Sequence, residues 1–153
     1  MSIHSDEVLA QRASRSDGAA LIELAFRHWP GLHRLARHLS VDADAPAIAE
    51  EAFGRALGGC RLADVPFRIS LYREAIALAS THGRSLPVGE AHRLDRACLL
   101  LRDVEDFSAE EAAFILRTSP AIIRKRAHRA RLMLAGSFAL FAGTQAPFCL
   151  AVA

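Results

Sequence analysis

The stretch Ser108–Leu132, SAEEAAFILRTSPAIIRKRAHRARL, decides the fold. Ser108 and Glu111 have the spacing of a capping box, in which the hydroxyl accepts from one free backbone N–H and the carboxylate from another. The pattern predicts a short helix over about 109–116. Arg117-Thr118 then turns the chain, and Ser119-Pro120 supplies an N-cap and a first helical residue for a second helix running to about Ala135. Two helices joined by so short a turn form a helix-turn-helix. At about 100° per residue, Ile123, Ala127, Ala130 and Leu134 share a narrow sector of the second helix, suited to packing on Ala113, Leu116 and the helix upstream. Arg124, His128 and Arg131 occupy the adjoining sector, flanked by Lys125 and Arg129. A DNA major groove admits such a helix, and arginine forks match guanine edges and phosphates. The alternative is a solvated arginine-rich face. No acid stands at i±4 to lace it with salt bridges, which favours nucleic-acid binding.

Upstream, a helix is expected over roughly 90–104, preceded by a linker at 84–89, RSLPVG. The first half reads as four helices. One is capped by Ser5 with acids in its first turn. A second starts near Ala19 after Asp17-Gly18, with Leu21, Leu24, Trp29, Leu32, Leu35 and Leu39 on one apolar face and Pro30 as a kink. A third opens on Pro46 and places Ile48, Ala52, Phe53, Ala56 and Leu57 on one side. A fourth has Asp64 as a cap and Pro66 in its first turn, with Phe67, Leu71, Ala75 and Leu78 on its buried face. The fold class is therefore all-α, built as two small helical modules. Module one spans 1–83, the linker 84–89, the helix-turn-helix module 90–135 and an apolar tail 136–153.

Composition agrees with that class. Of the 153 residues, 52% are hydrophobic and 24% charged, as in folded globular chains. Net charge is only +2, but it is unevenly placed. Residues 1–88 carry ten Arg and ten acids, residues 89–111 three Arg and seven acids, and residues 112–153 six Arg or Lys and no acid. A terminal cationic cluster is the electrostatic footprint of a polyanion-binding protein. Three cysteines, Cys60, Cys98 and Cys149, lie far apart without metal or redox spacing, and Cys98 reads as core. His28, His33 and His38 recur every five residues, about 140° apart on a helix, so they do not converge as metal ligands. Trp29 reads as core. No nucleophile motif, phosphate loop or paired-carboxylate site is present, so neither enzyme activity nor a cofactor is expected. The opening MSIHSDEVLA lacks the features of a signal peptide, and no run of 18 apolar residues exists. A cytoplasmic protein without membrane association is the default expectation.

The segment Arg96–Ala135 resembles region four of the extracytoplasmic-function sigma factors. The likeness rests on Arg96 with Leu99-Leu100-Leu101-Arg102, on Phe107-Ser108 with Glu111-Ala112-Ala113, and on the run Arg126-Ala127-His128-Arg129-Ala130-Arg131. By that resemblance Ser119, Pro120, Arg124, Lys125 and His128 face the minus-thirty-five promoter box, and Arg129 and Arg131 complete the basic face. Arg117 stands where the family commonly has Gly in a left-handed turn, at a cost of about 1 kcal/mol. The first half is similar to region two. Ser5–Val41 follows its usual opening, and Ala45–Leu57 takes the place of the polymerase-binding helix, with Ile48, Glu51 and Phe53 as its contacts. Phe67-Arg68 and Leu71-Tyr72-Arg73 sit where the minus-ten reader begins. Pro46-Ala47, Glu50, Ser70 and Ala77 depart from the family pattern, and the basic residues that normally follow are reduced to Arg84.

The resemblance implies a sigma factor that binds core RNA polymerase and promoter DNA, with an anti-sigma factor as a further partner. Two alternatives stay open. One is a mimic like the sigma-like domain of general stress response regulators, which sequesters an anti-sigma factor. The other is a simple helix-turn-helix regulator. The linker bears on the choice. It spans at most about 25 Å, whereas promoter boxes about seventeen base pairs apart are separated by about 58 Å.

Overall fold

A computed structural model describes residues 4–40, 44–59, 65–81 and 90–143. The expected linker, Asp64, Cys60 and the chain from Thr144 onward lie outside them. The described residues form seven α-helices and one π-helical turn, with no strand among them. The helices are α1 Asp6–Ala13, α2 Gly18–Leu39, α3 Ala45–Gly59, α4 Phe67–Thr81, α5 Glu90–Leu99, α6 Ala109–Ile115 and α7 Pro120–Gly143.

Local chemistry sets the boundaries. Ser5 Oγ accepts from Val8 N–H and opens α1. Ser16, at φ 71°, turns the chain. Asp17 caps α2 by accepting from the N–H groups of Ala19 and Ala20 at 3.1 and 3.2 Å. The Ala20 N–H, followed by Arg12, holds the Asp17 carboxyl below the usual carboxylate range. The chain stays helical through Pro30. Pro66 stands just before α4 rather than within its first turn, and its carbonyl accepts from Ser70 N–H.

Helices α1 to α4 enclose a core of Leu9, Leu24, Leu32, Leu35, Phe53, Phe67, Leu71 and Leu78, all buried. Asp6 staples α1 to α2: it accepts from Arg27 at 2.8 Å and lies 2.6 Å from His28 Nε2. His28 is thereby buried. Helices α5 to α7 bury Ala97, Cys98, Leu101, Ala112, Ile115, Ile123 and Ala127 in a core continuous with the first. Cys98 is core, as expected, and burial pushes its thiol up to about 11.

Two further boundaries differ from expectation. The predicted 90–104 helix is α5 followed by a π turn, Leu100–Val104, in which Glu105 N–H bonds five residues back to Leu100 carbonyl at 2.9 Å. Helix α7 also runs eight residues past Ala135, so the first part of the expected tail continues that helix. Ala and Leu sustain it, and Ser137 Oγ donates to Met133 carbonyl one turn back.

Candidate nucleic-acid interface

The helix-turn-helix forms as its caps require. Ser108 Oγ accepts from Glu111 N–H at 3.0 Å, and Glu111 Oε2 accepts from Ser108 N–H at 2.7 Å, which closes the capping box. Arg117 adopts the left-handed turn at φ 51°. Ser119 Oγ accepts from Ile122 N–H at 3.3 Å, and Pro120 is the first residue of α7. Ile123, Ala127 and Ala130 are buried, which fixes the rotation of α7 about its axis. Leu134, assigned to the same sector, is 48% exposed, because it lines an open groove between α7 and His92, Arg96 and Leu99 of α5 rather than a closed core.

The basic face points outward, but most of it is already paired. Arg124 donates to Glu110 at 2.8 Å. Arg129 and Arg126 both donate to Asp95, at 2.8 and 3.1 Å, and Asp95 is only 3% exposed. Arg131 grips Asp103 at 2.7 Å and holds that carboxyl below its usual range. The expectation of unpaired cations is therefore corrected. The acids that neutralise them come from α5, α6 and the π turn, not from i±4 on α7. Lys125 and His128 are exposed and form no ion pair among the described residues. Arg124, Lys125 and His128 lie three and four residues apart, on one exposed side of the first turns of α7. Their charge can meet phosphates, and their donors can meet base edges. Arg129 and Arg126 tie α7 to α5, so their first role is to orient the helix.

The three residues expected to contact polymerase separate in the structure. Glu51 is exposed and pairs with Arg55 at 2.7 Å. Ile48 and Phe53 are buried, so direct contact by either is corrected: both support α3 from behind. The exposed apolar groups lie instead on α2. Ile22, Phe26 and Trp29 are 72%, 86% and 36% exposed along one side of that helix. Trp29 is thus a surface residue, stacked on His33 with ring centroids 6.4 Å apart and leaning on Phe53. The i, i+4, i+7 spacing of 22, 26 and 29 is the sequence signal for this second apolar side. Among the described residues no cluster of His, Cys, Asp and Glu could hold a metal, and no helix is long and apolar enough to cross a membrane.

Comparison with known proteins bears on the same segment. Residues 93–134 match the family described as sigma-70, region 4. A sequence comparison with curated proteins finds no match. Among solved structures the fold is similar to CnrH, determined in complex with the cytosolic domain of CnrY. That likeness has a TM-score of 0.72 at 23% identity and covers 90% of this chain and 99% of that one. The fold is also similar to the anti-anti-sigma factor PhyR from Bartonella quintana, determined in complex with the anti-sigma factor NepR. Here the TM-score is 0.57 at 20% identity, over 76% of this chain and 51% of that one. At these identities the two structures establish a shared all-helical fold.

Proposed function

From the match of residues 93–134 to the family described as sigma-70, region 4, we propose that this chain is an RNA polymerase sigma factor of the extracytoplasmic-function type. One observation carries the reading. The segment that matches region four is the helix-turn-helix whose second helix presents Arg124, Lys125 and His128 to solvent. These residues, with Ser119 and Pro120 at the helix start, take promoter DNA in the major groove. Arg129 and Arg131 set the pose of α7 and add phosphate contacts where their pairs with Asp95 and Asp103 exchange. The polymerase surface is the exposed side of α3 at Glu50 and Glu51 together with the stripe Ile22, Phe26 and Trp29 on α2. An apolar stripe so exposed is stabilised by a partner that covers it. The protein is not an enzyme in this role and works in the cytoplasm.

The pairing of Arg124, Arg126, Arg129 and Arg131 with acids favours a second reading, the sequestering mimic. A face already neutralised loses little by never meeting DNA. Co-elution with purified core polymerase, followed by capture of fragments from a promoter library, separates the readings. A sigma factor co-elutes and retains specific fragments only together with polymerase. Retention of DNA without co-elution identifies a regulator, and neither activity identifies the mimic.

A further inference from the structure

We infer that the contact around Glu105 is a latch that holds the two helical modules closed, and that it opens when both modules engage a promoter. The second clause rests on the sigma-factor reading; the first does not.

Three elements meet at Glu105. Tyr72 Oη on α4 donates to Glu105 Oε2 at 2.7 Å, and Arg34 Nη1 on α2 donates to Glu105 Oε1 at 3.0 Å. Arg68 on α4 donates to the Glu105 backbone carbonyl, and its guanidinium lies 4.1 Å from the centroid of the Phe107 ring. Tyr72 meets the same ring edge-on at 4.9 Å. Both lobes of one carboxylate and the adjoining carbonyl are thus held from the first module.

The backbone is shaped for this contact from both sides. A Cβ on Gly31 would lie 2.3 Å from Tyr72 Oη and 2.5 Å from Glu105 Oε2, so α2 approaches the cluster as only glycine permits. On the other side, the π turn and Asp106 at φ 59° carry Glu105 out of α5 and into the seam. Such departures from regular helix recur at sites with a task. Beside the latch the seam opens into a surface groove. A cavity of about 320 Å³ is lined by Arg73, Glu74, Ala77, Leu94, Ile115 and Leu116. A polar clamp beside an open groove is the character of a reversible contact between modules. Eight residues separate Thr81 from Glu90, enough chain to let the modules part by up to about 30 Å. Promoter boxes about 58 Å apart call for modules that can part.

Electron–electron distance measurement on the full chain tests this. Spin labels are placed at Gln11→Cys and Leu132→Cys, with Cys60→Ser and Cys149→Ser, leaving the buried Cys98. The labelled background should give one narrow distance. Glu105→Ala and Gly31→Ala should add a longer, broad population, raising the open-to-closed ratio about tenfold, as for loss of one charge-assisted hydrogen bond. Unchanged distributions would overturn the latch. If circular dichroism shows Gly31→Ala unfolded, Tyr72→Phe, which removes one hydroxyl, carries the test: a larger open fraction supports the latch and an unchanged one overturns it. Core polymerase with a promoter fragment should lengthen the distance in the labelled background. Variants that open beside a background that stays closed with polymerase would leave the latch standing and overturn its coupling to promoter binding.

Discussion

Asp95 on α5 holds Arg129 on α7, thirty-four residues along the chain, with Asp95 Oδ2 accepting from Arg129 Nε at 2.8 Å. Arg126 shares the same carboxylate through its other oxygen. The pair fixes the rotation and height of α7 from beneath, so any effect on the proposed DNA binding runs through stability and pose. Asp95→Ala leaves two guanidiniums without their buried acceptor. It should destabilise the protein by about 1–3 kcal/mol in urea unfolding and weaken DNA binding together with it. A loss below about 0.5 kcal/mol, the range of ordinary surface substitutions, would show that Asp95 is not the anchor.

Glu110 acts in the opposite sense. Its pair with Arg124 is exposed on both sides, so it adds little stability but competes directly with phosphate. Glu110→Gln should leave the melting temperature nearly unchanged and tighten DNA binding about two- to fivefold at low salt. The slope of log K against log salt should steepen by about 0.9, as one further phosphate is neutralised by the released Arg124. Weaker binding by this variant would mean that Glu110 positions Arg124 rather than masking it.

The turn of the helix-turn-helix carries a removable strain. Arg117 is left-handed at φ 51° with no glycine to ease it. Arg117→Gly should stabilise the protein by about 1 kcal/mol, read as a melting temperature higher by about 2–4 °C. Ser108→Ala breaks the capping box and should cost about 1 kcal/mol.

Alkaline pH should destabilise the fold in a defined window. Burial raises the Cys98 thiol from its ordinary value near 9 to about 11. Burial, aided by the hydrogen bond to Glu105, raises the Tyr72 phenol well above its ordinary value near 10. Both groups keep their protons longer folded than unfolded. Their contribution is therefore complete below pH 9 and is lost as pH rises, by up to about 1.4 kcal/mol per pH unit for each group that titrates only when unfolded. Urea unfolding from pH 8 to 11 should show that decline, and Cys98→Ala should make it shallower between 9 and 11. An identical slope in the variant would remove Cys98 from the account.

The helix-turn-helix was legible in the sequence because its signals are local. Capping box, turn, N-cap and apolar sector all fall within twenty-seven consecutive residues, Ser108 to Leu134. The partners of its cations were not. Asp95, Asp103 and Glu110 lie 14 to 34 residues from the arginines they meet, and only the packing of α5 and α6 against α7 brings them together. The π turn leaves no periodicity to read. On α3 the apolar spacing already placed Ile48 and Phe53 on the buried side; the family pattern carried over their identity but not their exposure. Trp29 went astray because α2 has two apolar sides, and the stronger, Leu24, Leu32, Leu35 and Leu39, took the core.

In the proposed function, the exposed corner of α7 reads promoter DNA for polymerase. Run-off transcription with core polymerase on a library of promoter fragments tests it most directly, comparing the native chain with Arg124→Ala/Lys125→Ala, a variant that leaves the Asp95 anchor intact. Specific transcripts that depend on the native chain and fall at least tenfold in the variant are the expected result, each hydrogen-bonded pairing with a base or phosphate being worth about 1–3 kcal/mol. Transcripts of equal strength from both proteins, or none from either, would contradict it.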